Sequence, residues 1–472
     1  MRIAMPRLFL GNFEFEHRLA DSVRQLPAKL ERINAELATS WLAIAEDGDY
    51  LWTPQPIEAS FFEQTVRDGL PRVIPVVSFD NVPRGVECIP WGWTDDIRRL
   101  CDKHGWVRND PPHQAVLTAN SRRFSAALER YDQLGLDFSG EVTALHQIER
   151  FIKLHSRESR WVVKAMLGMS GRERILGCGP PTLADQNWIA KRLASDGVVY
   201  FEPWVERVDE VGIQIEVPRN GDPQLIDVVP MLVDERGQYA GSWFVPREKM
   251  TWMNTRVVGS ETVIDVSLRA ASLLQKLGYF GPLGIDAMRY RAADGSIRVR
   301  PIQDINARWT MGRLSLGWRR LLQPDEVGCW RHGSSESGST ITAFSGMIAT
   351  DAICKVMLTK GQRLTLERLK VIQAVFMSHE LFDVEDYLAR LELPGEGPRV
   401  SRSTVYRTLS LLEEAGLIRR VTSAAPRELY EVRLFREKWK AIRTSPETVG
   451  GSAAHHHSWV LVYGRTTEPE ET

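Results

Sequence analysis

Gly284-Ile285-Asp286, then a turn at Ala293-Asp294-Gly295, then Arg298-Val299-Arg300-Pro301-Ile302-Gln303-Asp304-Ile305-Asn306-Ala307-Arg308: the fold is decided in this stretch. Two strand-like runs on either side of an Asp-Gly turn predict an antiparallel pair. Side chains two residues apart in a strand share a face, so Asp304 and Asn306 point the same way, and Asp286 on the neighbouring strand joins them. Oxygen donors so spaced suit a hard cation. An ordinary hairpin with polar ends does not account for an acid and an amide inside an otherwise apolar strand.

Upstream, the apolar run Trp161-Val162-Val163 ends in Lys164 and is followed by Gly168-Met169-Ser170-Gly171-Arg172. Glycines there let backbone amides approach phosphate oxygens, and the lysine adds a point charge. Taken alone, such a stretch reads better as a hairpin turn with a solvated lysine. Next, Val198-Val199-Tyr200-Phe201-Glu202-Pro203-Trp204-Val205 carries a strand into an acid and an aromatic, and Asp209-Glu210 follows. Backbone groups after Glu202 are placed to read an adenine edge. Glu210 can accept hydrogen bonds from ribose hydroxyls or simply face water.

Across its 472 residues the sequence is 43% hydrophobic and 26% charged, with a net charge of -1, and its length predicts two or three domains. No apolar run is long enough to span a membrane, and the amino terminus lacks the pattern of an export signal, so a soluble, cytoplasmic protein is expected. Cys88, Cys101, Cys178, Cys329 and Cys354 form no CxxC pair, which argues against a disulfide framework or a cysteine zinc site. Trp41-Leu42-Ala43-Ile44-Ala45 and Val73-Ile74-Pro75-Val76-Val77 look like buried strands and 95–104 like a helix, so 1–110 is expected to be an α/β domain. Helices at 121–134, 148–154 and 267–277 and strands at 161–164, 198–217, 224–233 and 297–305 predict an α+β domain over 111–325, its strands mostly antiparallel.

Cations for phosphates, a glycine loop, a hinge for adenine and carboxylates for magnesium thus follow one another in the order that ATP-dependent carboxylate activation requires. Over about 110–320 the chain resembles the ATP-grasp superfamily. The resemblance implies that Lys164 and Arg122, in Asn120-Ser121-Arg122, bind phosphate; that Gly168, Ser170 and Gly171 belong to the mobile loop; that Glu202, Trp204 and Val205 form the hinge; and that Glu210 holds ribose. Asp286, Asp304 and Asn306 would hold Mg2+, and Asp304-Ile305-Asn306-Ala307-Arg308 resembles the family's Glu-x-Asn-x-Arg strand. Two departures stand out: an arginine replaces the first ATP lysine, and aspartate replaces glutamate at 304. The implied activity joins a carboxylate to an amine through an acyl phosphate, which Arg308 steadies by bidentate hydrogen bonds while Lys164 faces the phosphates. Both substrates would be small molecules.

Beyond the cluster Gly333-Ser334-Ser335-Glu336-Ser337-Gly338-Ser339 a linker is expected at 326–350, and helical stretches at 366–376, 384–391 and 403–415 suggest a helix-turn-helix variant over 351–440. Residues 360–443 hold 16 Lys and Arg against 12 Asp and Glu, a net of +4. Ser403-Thr404-Val405-Tyr406-Arg407-Thr408-Leu409 followed by Glu414-Ala415-Gly416-Leu417 resembles the recognition helix of the ferric uptake regulator family. The resemblance implies a winged helix on double-stranded DNA, with Tyr406 and Arg407 at the bases and Arg402 and Arg363 on phosphates. A winged helix used for protein contact or homodimerisation is the other reading. Leu381 stands where a metal histidine would be, which leaves Glu431 and His455-His456-His457 as candidate transition-metal ligands. Residues 441–472 are expected to be a degenerate or disordered tail. The alternative for the whole chain is a transcriptional regulator whose amino-terminal part senses ATP without turning it over.

Overall fold

Four parallel strands come first: β1 (Arg7–Leu10), β2 (Tyr50–Trp52), β3 (Ile74–Val76) and β4 (Glu87–Pro90), in the order β3-β2-β1-β4. The computed structural model describes residues 5–20, 28–155, 160–168, 173–234, 236–245, 261–324, 326–333, 365, 367–368, 371–372, 375, 381–385, 400–414, 417–421, 429–432, 440–446 and 458–465. Leu8, Leu10, Cys88 and Val76 of this sheet bury against Ile97 and Cys101, which stand one helical turn apart on the helix Asp95–His104. That helix starts where the Thr94 hydroxyl accepts from the N–H of Ile97 and stops at Gly105, whose φ of 67° an L side chain rarely adopts.

One expected strand is not a strand. Ala38–Ala43 form a fully buried 3-10 helix, and the expected run Trp41–Ala45 begins inside it. A short, wholly apolar run has no period to distinguish a buried strand from a buried helix, and here the helix prevails. β3 does form, as an edge strand with Ile74 exposed, a position that tolerates Pro75.

A second sheet holds β5 (Gly140–Val142), β6 (Arg160–Ala165), β7 (Arg174–Cys178) and β8 (Val199–Pro203) in the antiparallel order β5-β8-β6-β7. Ile148 and Ile152 of the helix Leu145–His155 and Ile189 of the helix Leu183–Asp196 pack on its Trp161, Val163, Val199 and Phe201. The third sheet is the largest. It begins with β9 (Glu206–Val217), β10 (Gln224–Val233), β11 (Tyr239–Phe244), β12 (Gly281–Arg291), β13 (Ile297–Asn306) and β14 (Glu326–Gly333). β12 lies antiparallel between β9 and β13, as the Asp-Gly turn predicts. Gly284 on β12 has a specific reason: a Cβ there would meet Thr310 Cγ2 at 2.5 Å, so only glycine lets the Thr310 segment close on the sheet.

By contacts, Met1–Leu321, Trp330–Gly333 and Ile442–Val460 make one compact unit, and Leu322–Cys329, Ser334–Ala441 and Leu461–Thr472 a second. In the second unit β15 (Leu381–Asp383), β16 (Ile418–Val421) and β17 (Leu429–Val432) form a small antiparallel sheet in the order β15-β17-β16. The helix Arg402–Glu414 precedes β16, with Val405, Leu409 and Leu412 fully buried. Of the expected helix at 384–391, Val384 and Glu385 are helical and the remainder lies outside the described residues. At 366–376, residues 367–368, 371–372 and 375 are helical.

Two expectations about the chain's last third are corrected. The supposed linker at 326–350 opens with β14, whose Cys329 and Trp330 are buried; residues 334–339 lie outside the described residues. The supposed disordered tail contains β18 (Lys440–Arg443) and β19 (Ser458–Arg465), and the largest sheet runs β13-β12-β9-β10-β11-β14-β19-β18. Trp330 Nε1 donates to the Thr444 hydroxyl at 2.9 Å, Thr39 Oγ1 donates to the Thr444 carbonyl at 2.6 Å, and the Trp330 and Trp459 rings lie 4.7 Å apart. The continuous apolar run Trp459-Val460-Leu461-Val462-Tyr463 is the signal that a compositional reading of the tail passes over. The two units therefore interleave along the chain, each made of three pieces.

Candidate functional site

Asp286 on β12 pairs in register with Asp304 on β13, and Gly284 with Asn306. Two carboxylates directly opposite repel each other, and Asp286 feels it: burial first, then Asp304 and Glu210, lift its pKa to about 7. Asn306 holds Asp286 in place. Its Nδ2 donates to Asp286 Oδ2 at 3.2 Å, and its Oδ1 accepts from Arg308 Nη2 at 2.9 Å. Hard oxygen donors driven together in this way fit a divalent cation at Asp286 and Asp304, while Asn306 orients Asp286 with both of its own polar ends engaged. Among the described residues no cluster of three or more His, Cys, Asp and Glu is arranged to hold a metal.

Cations come from the second sheet and the helix before it. Arg122, at the start of the helix Arg122–Asp132, donates from Nε to the Ala165 carbonyl at 3.1 Å and places Nη1 3.3 Å from Asp304 Oδ2. Lys164 on β6 is buried and hydrogen-bonds Glu202 on β8. Arg174 on β7 and Arg207 on β9, neither of them singled out from sequence, stand close enough that burial, then Arg207 and Arg122, press the Arg174 guanidinium below its usual pKa. Basic residues flanking a glycine loop and a hinge were the available signal. Arg207 Nε lies 3.1 Å from Glu210 Oε1 without forming a hydrogen bond; both atoms, with Gln303 Oε1, are buried and lack hydrogen-bond partners among the described residues.

Beneath these groups lies a closed network. Arg300 Nε and Nη2 donate to the two oxygens of Glu129 at 2.7 and 2.8 Å, and Nη2 also donates to Glu202 Oε1 at 2.9 Å. Lys164 takes the other Glu202 oxygen. Two cations balance two carboxylates here, all four under 8% exposed. Burial opposes ionisation of Glu202, yet Arg300 and Lys164 outweigh it and hold the carboxyl below the usual range. Burial draws Lys164 down to about 8 in spite of Glu202. Glu202 is thus a buried counter-ion for Lys164 and Arg300, not a free hinge group.

Trp204 and Val205 follow it. The Trp204 N–H is spent on the Arg160 carbonyl at 2.9 Å, and Arg160, Arg174 and Arg207 stand over its ring at 5.7, 5.5 and 4.1 Å. The Val205 side chain packs with Leu136, Met288 and Tyr290. Gly168 ends the described part of the loop; Ser170 and Gly171 lie outside the described residues.

Arg308 is held differently from expectation. Its Nε donates to Glu16 Oε1 at 2.6 Å, Nη2 pairs with the same carboxylate, and Nη1 donates to the Trp309 carbonyl at 2.8 Å. The bidentate edge expected for an acyl phosphate is occupied by Glu16, from the helix Phe15–Ala20, which sequence reading passed over. A lone acid nearly three hundred residues away carries no local signal.

In the second unit Ser401 caps the helix Arg402–Glu414, its hydroxyl accepting from the Thr404 N–H at 3.2 Å. Tyr406 and Arg407 are exposed beside the buried Val405, and Arg402 pairs with Glu385. Arg363 lies outside the described residues, as do His455, His456 and His457. Glu431 receives Arg419 Nε at 3.0 Å across β16 and β17, an ion pair that competes with any metal. Among the described residues no helix is long and apolar enough to cross a membrane.

No curated protein matches the chain. Similar solved structures include N5-carboxyaminoimidazole synthetase from Staphylococcus aureus, 9% identical with a TM-score of 0.40, covering 70% of this chain and 83% of that one. A complex of biotin carboxylase from Campylobacter jejuni is 11% identical with a TM-score of 0.40 over 71% and 77% of the two chains. An ADP complex of N5-carboxyaminoimidazole ribonucleotide synthetase is 12% identical with a TM-score of 0.39 over 87% and 96%. Residues 359–445 match the Ferric uptake regulator family, the family that the recognition-helix signature resembles.

Proposed function

We propose that the first unit binds ATP with Mg2+ and uses it to join a carboxylate to an amine through an acyl phosphate, as the ATP-grasp resemblance implies. One observation carries the reading. Arg122, Lys164, Arg174 and Arg207 gather at the second sheet and the strand after it, and Asp286, Asp304 and Glu210 gather on the largest sheet, with Arg122 and Asp304 3.3 Å apart. A polyphosphate with its divalent ion satisfies both sets at once. The ion, when bound, neutralises charge on the transferred phosphoryl group. Lys164 and Arg122 hold the phosphates in line, Glu210 holds ribose as the resemblance implies, and Asn306 orients Asp286. The carboxylate oxygen attacks the terminal phosphorus and ADP leaves; the neutral amine then attacks the acyl carbon, the C–O bond breaks, and phosphate departs with its electron pair and takes up the proton that the nitrogen gives up.

MgATP titration of the full chain tests this. Lys164→Ala and Asp304→Asn should each weaken MgATP binding about tenfold or more, since each removes a charge-assisted contact. Glu202 keeps Arg300 in the first variant, so the fold persists. With the Lys164 pKa near 8, its ammonium loses the proton as pH rises from about 7 to about 9, so wild-type affinity falls over that range. Absence of millimolar MgATP binding by the wild type, or wild-type affinity in both variants, sinks the reading. ADP release against pools of carboxylates and amines then separates turnover from sensing.

For the second unit we infer double-stranded DNA as the partner. The exposed Tyr406 and Arg407 at the start of a helix whose Val405, Leu409 and Leu412 are buried support it.

A further inference from the structure

Glu16 is 5% exposed and sits on the helix Phe15–Ala20, next to the strand end that carries Asn306 and Arg308. One of its oxygens, Oε1, takes Arg308; the other, Oε2, is buried and has no hydrogen-bond partner among the described residues. Leaving a carboxylate oxygen so placed is unfavourable, and natural structures seldom do so without a use for it. The surroundings hold the group rigidly. Asn12 Nδ2 donates to the Gly92 carbonyl at 2.8 Å, and Gly92 has no Cβ, which would otherwise meet Phe15 Cδ2 at 2.3 Å. The Trp309 N–H donates to the Trp91 carbonyl at 3.1 Å, and the Arg308 guanidinium stands 5.1 Å from the Trp91 ring. Phe13 and Trp91 rings lie 4.6 Å apart. Carboxylate, arginine and indole together form a charge-balanced, aromatic-walled position just beyond the end of β13, with Glu16 Oε2 left as an unpartnered acceptor.

We propose that Glu16 is the recognition point for the amine substrate, its Oε2 accepting an N–H from a primary amine or alkylammonium group beside Arg308. The inference rests on the ligase reading for the meaning of that amine, but not for its binding. A neutral hydroxyl compound of equal size lacks the charge that a buried carboxylate selects. A carboxylate substrate is repelled from Oε2 and directed toward the aspartate-bound ion and the arginines. The unpartnered acceptor at Oε2 therefore discriminates the two substrates, taking an N–H donor and rejecting a carboxylate.

Ligand-observed NMR titration of the full chain with ethylammonium chloride, against ethanol and potassium chloride as controls, reads this directly. Saturable binding of ethylammonium is expected, with none for ethanol. Glu16→Gln should weaken it about tenfold or more while MgATP binding stays within about threefold. Glu16→Asp, which keeps the charge but draws it back by one methylene, should fall between. If Glu16→Gln does not fold, the aspartate variant decides, since it must weaken ethylammonium more than MgATP. Three results overturn the proposal: no saturable ethylammonium binding by the wild type, equal binding by the folded variant, or a potassium response as strong as that of ethylammonium. A wild type that binds ethylammonium through Glu16 but not MgATP retains the subsite and discards the ligase reading.

Discussion

Replacing Arg300 with methionine removes the guanidinium between Glu129 and Glu202, and the structure sets the size of the loss. Three hydrogen bonds of 2.7 to 2.9 Å disappear from a site where each partner is under 5% exposed. At about 1.5–3 kcal/mol per charged bond the sum would be about 4.5–9 kcal/mol. Glu129 lowers that figure by taking up a proton, because burial already raises its pKa against the pull of Arg300. Breaking a buried pair one-sidedly typically costs about 3–5 kcal/mol, and that range is expected here. Urea unfolding followed by tryptophan fluorescence, at an unchanged slope, measures it.

Acidity supplies an internal check. Without Arg300 the folded-state pKa of Glu129 rises further above the unfolded value, so the folded chain binds the extra proton and its stability drops as pH climbs through the folded pKa. The deficit of Arg300→Met should therefore be smaller at about pH 5 than at about pH 7. The double variant Glu129→Met, Arg300→Met leaves Glu202 paired with Lys164 alone and should recover most of the loss. A single-variant deficit below about 1 kcal/mol, or a double variant no better than the single, would refute the charge balance drawn for this network.

Ending the chain at residue 441 should destabilise the first unit, because Trp330 loses Trp459 and Thr444; about 1.5–3 kcal/mol from the indole and about 1 kcal/mol per lost hydrogen bond are expected. Unchanged urea resistance of the truncated protein would show that β18 and β19 contribute nothing. For DNA, affinity for genomic fragments should fall with salt, and Arg402→Ala should reduce the log–log slope by about 0.9. Salt-independent binding would exclude a phosphate role for Arg402, and no binding at all would leave the second unit to protein contact.

Sequence was most informative where pattern and chemistry coincided. The pair around Asp286, Asp304 and Asn306 was legible because polar side chains at strand spacing interrupt an apolar run, and the register bears them together. Lys164 and Glu202 were found, but not as partners, and the Arg300–Glu129 part of their network was not found at all, since Arg300 lies 98 positions from Glu202 and 171 from Glu129. Arg300 could have been suspected: an arginine inside a strand must find an acid somewhere. Glu16 could not, because nothing in Phe15-Glu16-His17 distinguishes a surface acid from one that meets Arg308. The 3-10 helix at Ala38–Ala43 was missed for want of any period, and β14, β18 and β19 because linker and tail composition overshadowed their short apolar cores.

The interruption of the first unit between Gly333 and Ile442 has a thermodynamic consequence. The first unit resumes at Ile442 after leaving off at Gly333, so the contacts of Trp330 with Thr444 and Trp459 close a loop of roughly a hundred residues, an entropy term of about 4 kcal/mol if that loop were unstructured. A folded module that brings its own ends together removes most of this penalty.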